Sequence, residues 1–237
     1  MYIFLSPHFD DAIGSCGCWM YDLHKQNENV ELVTVFSGER PEKISPFAKE
    51  LLELWGLENG VNERIQENKM ASLVLGVTNR EYPFVEAIYR MCDGNWLYPK
   101  DGDIFEEIAE VDNYISEKLM IMLCENYSRN DTFVFPSARG KHVDHILVKR
   151  TGEKLHKKGY NVLFYNDFSY DGQNKISYNN QELIIEFSQE HLDKKIESML
   201  MYKSQLGMLF ETIGIHNYYR IENKMNGKIF EKYYVII

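Results

Sequence analysis

Short runs crowded with β-branched and aromatic residues recur along the chain between stretches of helical spacing, the pattern of a mostly parallel sheet covered by helices. Residues 2–6 predict a first strand, residues 12–26 a helix returning along the sheet, and residues 30–36 a second strand, which together make a βαβ unit. Residues 37–60 mix Gly, Pro and acidic positions with one apolar stretch at 47–55, so they predict a loop and short helix placed to cover a site. A helix over 62–75, closed by Gly76, and a short strand over 80–85 follow.

Ile104, Ile108, Val111, Ile115, Leu119 and Leu123 keep helical spacing across 103–127 and read as one core-facing stripe. Residues 132–136 predict a buried strand, 144–157 a helix, and 161–165 and 182–187 two more strands. Ser188, with Glu190 and Asp193 behind it, caps a helix expected to run to Phe210, and 218–237 predict a β-rich tail turning at Met225-Asn226-Gly227. No repeat or low-complexity linker divides the chain. The expectation is one domain over 1–237 with a Rossmann-like, mostly parallel sheet and helices on both faces.

Composition narrows the function classes. With 44% hydrophobic and 26% charged residues in 237, the chain can bury a sizeable core. Its net charge of -10 disfavours phosphate backbones and anionic lipid, so nucleic acid is not an expected partner. Lys157-Lys158 and Lys194-Lys195 read as solvated helix faces. The apolar run at the N-terminus is shorter than the roughly 7–15 residues of a secretory h-region, and nothing approaches the roughly 20 of a transmembrane span, so the cytoplasm is the expected compartment. Cys16, Cys18, Cys92 and Cys124 are irregularly spaced and expected to be reduced; Cys16 and Cys18 read as packing residues, with a metal clip as the alternative. Oligomeric state leaves no trace in the sequence.

Candidate chemistry gathers in two places. Ser6-Pro7-His8-Phe9-Asp10-Asp11 lies where the first strand ends, the edge at which ligands bind in open parallel sheets. Adjacent carboxylates point different ways, so one can bind an ion while the other faces substrate, as metal-assisted hydrolysis needs. The alternative is that Asp10 or Asp11 caps the next helix and His8 is a core histidine. His142-Val143-Asp144-His145 follows a strand and opens a helix, which lets both imidazoles reach one site. Asp144 can fix an imidazole tautomer, interact with the helix N-terminus, or do both.

Taken together, these two motifs resemble the PIG-L/LmbE-like family of zinc-dependent N-acetylglucosaminyl deacetylases. Arg64-Ile65-Gln66-Glu67 with Ala71 and Leu75-Gly76, Phe164-Tyr165-Asn166-Asp167, and Lys195-Ile196 with Tyr202-Lys203-Ser204-Gln205 extend the resemblance over nearly the whole chain. The resemblance implies His8, Asp11 and His145 as ligands of Zn2+ or another divalent metal and Asp10 as general base. It also implies His142 as electrophile or acid oriented by Asp144, and Arg64 facing substrate; the mechanism expected on that basis has a protonated His142 stabilise the oxyanion. Phe9 stands where proline is usual in that family and Ala12 where glutamate is usual. The implied activity removes an N-acetyl group from an amino-sugar-containing small molecule or glycan. A hydrolase of another amide, such as a thiol-conjugate amidase, and a non-catalytic carbohydrate-binding relative are the alternatives. Trp55, Tyr89, Trp96 and Tyr98 are candidates for stacking on sugar faces, with local core as the alternative.

Overall fold

A computed structural model of the protein describes residues 1–168, 180–210, 214–222, 224–225 and 227–236. Five parallel strands, β1 (Tyr2–Ser6), β2 (Val30–Thr34), β3 (Thr78–Glu81), β4 (Thr132–Pro136) and β5 (Asn161–Tyr165), are joined by β6 (Asn180–Phe187) and β7 (Lys228–Ile236). They lie in the order β3-β2-β1-β4-β5-β7-β6, with β7 antiparallel to both neighbours. Alternation along the strands sends side chains to two cores. Phe4, Leu32 and Val134 face a layer containing α1 (Asp11–Lys25), α3 (Val61–Leu75) and α6 (Gln189–Met199). Ile3, Leu5, Phe133 and Phe135 face α4 (Tyr114–Asn126) and α5 (Val143–Lys157). Helices therefore cover both faces, as the sequence predicts. The chain reverses its direction of travel across the sheet between β1 and β4, which opens a crevice at their carboxyl ends.

Four expectations are corrected. The stripe over 103–127 is not one helix: turns at Asp101–Phe105 and Glu110–Asn113 precede α4, and Val111 is 48% exposed. Tyr98 explains the break, because its hydroxyl accepts the Ala109 N–H and donates to Asp112, holding the segment out of helical register. The helix expected to reach Phe210 stops at Met199, and a second helix, α7 (Lys203–Phe210), follows. Buried Tyr202 turns the chain inward there, and Glu67 accepts from the Ser204 N–H and hydroxyl at the new N-terminus. A helix, α8 (Ile215–Glu222), replaces the start of the expected β-tail. Met225 does pair with Lys228, but Asn226 of the expected turn lies outside the described residues.

Lys195, expected to be solvated, is buried. Its stem crosses α1 at Gly17, where a Cβ would come within 2.8 Å of Lys195 Cγ, and its ammonium meets Glu231 at 2.9 Å and the Ser15 carbonyl at 3.0 Å. Cys16 and Cys18 are buried and unbridged, as packing residues should be. Among the described residues, no helix is long and apolar enough to cross a membrane.

Candidate metal centre and pocket

The first strand ends at Ser6, whose hydroxyl accepts the N–H of Ala12 at 2.9 Å. That N–H is one of the donors the first turn of α1 leaves without a helical partner. Asp10 occupies the N-cap position but makes no side-chain cap bond, and Asp11 accepts the His8 N–H at 2.7 Å. Helix capping thus falls to Ser6, and both carboxylates are left for chemistry. Beyond β4, Ala138 and Lys141 adopt left-handed φ values of 59° and 61° and turn the chain back towards β1. His142 then becomes the N-cap of α5, its Nδ1 accepting the Asp144 N–H at 3.1 Å.

His8 and Asp11 from the junction of β1 and α1, and His145 from α5, converge with ligand atoms all within 4.8 Å of one another. Asp11 Oδ2 lies 3.2 Å from His8 Nδ1 and 3.1 Å from His145 Nε2. A tetrahedral ion with ligands at about 2.0–2.1 Å separates neighbouring ligand atoms by about 3.3–3.4 Å, and both distances from Asp11 Oδ2 to the imidazole nitrogens fall within a few tenths of an ångström of that spacing. Two imidazoles and one carboxylate suit zinc and leave a fourth position for water or substrate. Outer carboxylates hold both rings by their other nitrogens: His8 Nε2 is 3.1 Å from Asp144 Oδ2, and His145 Nδ1 is 2.8 Å from Asp167 Oδ1.

The electrostatics follow from this crowding. Burial opposes charge on His8, but Glu86, Asp11 and Asp144 outweigh it and push the imidazole well above its ordinary value. His145, likewise buried, is raised to about 9 by Asp11 and Asp167. Burial alone would raise Asp11, yet His145 and His8 hold it well below the usual carboxylate range. Without metal, therefore, two imidazolium protons occupy the place the ion would take.

Asp10 differs. Burial and the neighbouring Asp11 charge push its carboxyl up to about 6, partly offset by Arg64, whose Nη2 lies 3.5 Å away. Arg64 is sandwiched between Phe9 and Trp55 and also reaches Glu86 at 3.3 Å. Phe9, which replaces the usual proline, is thus the floor under this guanidinium. Ala12 is buried in the core beneath α1.

Two implied details of the histidine chemistry are corrected. Asp144 orients His8, not His142; towards His142 it offers only its backbone N–H. Burial and the nearby His8 charge lower His142 well below its ordinary value, so it is neutral. With Nδ1 accepting, the neutral ring carries its proton on Nε2 and works as a hydrogen-bond donor.

His8, Asp10, Asp11, Arg64, Glu86 and His142 line one cavity of about 160 Å³, walled by Phe47, Leu51 and Trp55 from α2 (Pro46–Trp55), by Asp101 and Phe105, and by Gln205, Met208 and Leu209 from α7. Of the four aromatic residues singled out in the sequence, Trp55 lines it. Tyr89 and Tyr98 are buried elsewhere, and Trp96 does not border it. Asp167 and Glu86 were given no role by the sequence. Asp167 follows the carboxyl end of β5, next to β4, and the rule that located the two motifs locates it too. Glu86 directly follows the strand expected over 80–85, so the same rule points to it, although the strand itself ends at Glu81.

The profile of the family described as GlcNAc-PI de-N-acetylase (PIG-L) matches residues 3–156. The 2'-N-acetylparomamine deacetylase of Niallia circulans is 32% identical over 226 residues, 88% of this chain and 82% of that protein. Among solved structures, the zinc-inhibited form of teicoplanin deacetylase Orf2 superposes with a TM-score of 0.85 at 22% identity, covering 98% of this chain and 96% of the other. N,N'-diacetylchitobiose deacetylase from Pyrococcus horikoshii superposes with a TM-score of 0.60 at 14% identity, covering 99% and 83%. At such identities the structural likeness speaks to the fold.

Proposed function

The chain belongs to the PIG-L (GlcNAc-PI de-N-acetylase) family, and from that membership we propose that it is a zinc-dependent hydrolase removing the acetyl group from an N-acetylated amino sugar in an aminoglycoside-like small molecule. The observation that carries the reading is the convergence of His8, Asp11 and His145, with Asp10 beside them, where His8, Asp10 and Asp11 line the cavity. The nearly full-length likeness to a paromamine-type deacetylase supports the substrate class. We treat 1–237 as one catalytic unit because α7, beyond the family match, supplies a wall of that cavity.

His8, Asp11 and His145 hold the metal, which when bound supplies Lewis acidity towards water and the amide carbonyl. Asp10, buried beside Asp11 and not itself a ligand, is the carboxylate that takes the proton of the attacking water. Arg64 restrains that carboxylate from the side. His142 donates its Nε2–H to the developing oxyanion. Asp10 then delivers its proton to the leaving amine, giving acetate and a free amino sugar. Acetate release from a panel of N-acetylated aminocyclitol glycosides, N-acetylglucosamine and N-acetylchitobiose tests the reading. Activity lost on chelation and restored by Zn2+ is expected; amide cleavage by the stripped protein at the full rate would reject it.

A further inference from the structure

Asp144 is wholly buried and does not border the catalytic cavity, so its charge has to be compensated from within the protein. Its two oxygens are divided. Oδ2 accepts the Ala87 N–H at 3.0 Å and faces His8 Nε2 at 3.1 Å, while Oδ1 lies 2.6 Å from Arg90 Nη1. Arg90 is itself buried, and its guanidinium bridges to a second carboxylate, Asp112, with Nε 3.0 Å from Oδ2. The rings of Phe36 and Tyr98 lie 5.3 Å from its centre, and the Tyr98 hydroxyl donates to Asp112. A run of contacts therefore connects the 98–112 segment to His8.

We propose that Arg90 is a positioning residue for the metal centre, acting through Asp144 on His8. The inference rests on His8 being a metal ligand, as the proposed function has it. Asp144 can hold the His8 ring only as a charged acceptor fixed in place, and Arg90 supplies both the compensating charge and the fixed point. With its Nε2–H committed to Asp144, His8 presents Nδ1 towards Asp11 and His145, the orientation a shared ion requires. The planar fork suits this task because separate nitrogens grip two carboxylates at once. Lysine has one nitrogen for both.

Arg90 also borders a separate cavity of about 430 Å³. The test is Zn2+ affinity, measured by competition with a chromophoric chelator on metal-stripped full-length protein, for the parent, Arg90→Gln, Asp144→Asn and the double variant. Arg90→Gln is expected to weaken zinc binding about 10- to 100-fold, the usual effect of removing a partner outside the ligand shell, while its metal-free form still unfolds cooperatively. On the Asp144→Asn background the same substitution is expected to cost less than about threefold, since its route to His8 is already cut. Affinity within about threefold of the parent in folded Arg90→Gln, or equal losses on both backgrounds, overturns the proposal. If Arg90→Gln does not fold, the triple variant Arg90→Gln/Asp144→Asn/Asp112→Asn, which removes all three buried charges, is compared with Asp144→Asn/Asp112→Asn, and a further loss of about tenfold overturns it. Because the readout is metal affinity, the two readings fail separately: the deacetylase reading by absent acetate release from a parent that binds zinc, this one by unchanged affinity in Arg90→Gln.

Discussion

Replacing Lys195 with methionine keeps the apolar stem that crosses Gly17 and removes the cation that meets Glu231 among the described residues. The two charges lie 2.9 Å apart, both 1% exposed, and at an effective dielectric of about 20 their gross attraction is about 6 kcal/mol. Burial opposes charge on Lys195, yet Glu231 outweighs it and keeps the ammonium raised above its ordinary value. Glu231 has further work: it accepts the N–H groups of Cys18 and Trp19 inside α1 and the hydroxyl of Tyr233. Lys195→Met leaves that carboxylate buried without a cation, a change expected to cost about 3–5 kcal/mol. For a chain of this length that lowers the thermal midpoint by about 6–20 °C. The neutral pair Lys195→Met/Glu231→Gln removes the uncompensated charge; its amide oxygen can replace only one of the two carboxylate oxygens, so about 1–3 kcal/mol stays lost. Circular dichroism melts of the three proteins, each metal-free, decide the matter. A single variant melting within about 2 °C of the parent, or a double variant less stable than the single, refutes the reasoning.

Other expectations follow from the site and the core. Asp10→Asn should lower turnover about 10²- to 10⁴-fold while leaving zinc bound, measured as acetate release beside elemental analysis; full activity would remove Asp10 as the base. Protons on His8 and His145 compete with the metal, and since His145 is raised to about 9 and His8 is also raised, apparent zinc affinity should climb as pH rises through neutrality and keep climbing to about 9 or beyond. Ordinary histidines would level off above roughly 7, so a plateau there contradicts the charge arrangement. Gly152→Ala places a Cβ 2.7 Å from Phe135 Cγ, where α5 lies on the sheet, and should cost about 1–3 kcal/mol in denaturant titration. An unchanged midpoint would reject that close approach.

Much of this architecture was legible from periodicity. Alternating apolar runs located β1, β2, β4 and β5, and the strand-end rule placed His8 to Asp11 and His142 to His145 at one edge before any coordinates. What periodicity misread were places where a buried polar group overrides it. Tyr98 breaks the apparent helix over 103–127, and Tyr202 with Glu67 splits the helix after Met199. Lys195 looked solvated because its partner, Glu231, lies 36 residues away on another element. The tautomer of His142 and the switch of Asp144 to His8 depend on ring orientation, which residue identity does not specify. Arg90 is similarly silent in sequence, since its partners come from separate loops.

The central claim is that His8, Asp11 and His145 share one ion beside the cavity that His8 and Asp11 line. Anomalous diffraction at the zinc edge from crystals of the reconstituted protein measures this directly. One peak is expected within about 2.0–2.2 Å of His8 Nδ1, an Asp11 carboxylate oxygen and His145 Nε2, with its open side towards Asp10. A peak bound elsewhere, or these three side chains found without a shared ion in zinc-replete, active protein, would contradict the account.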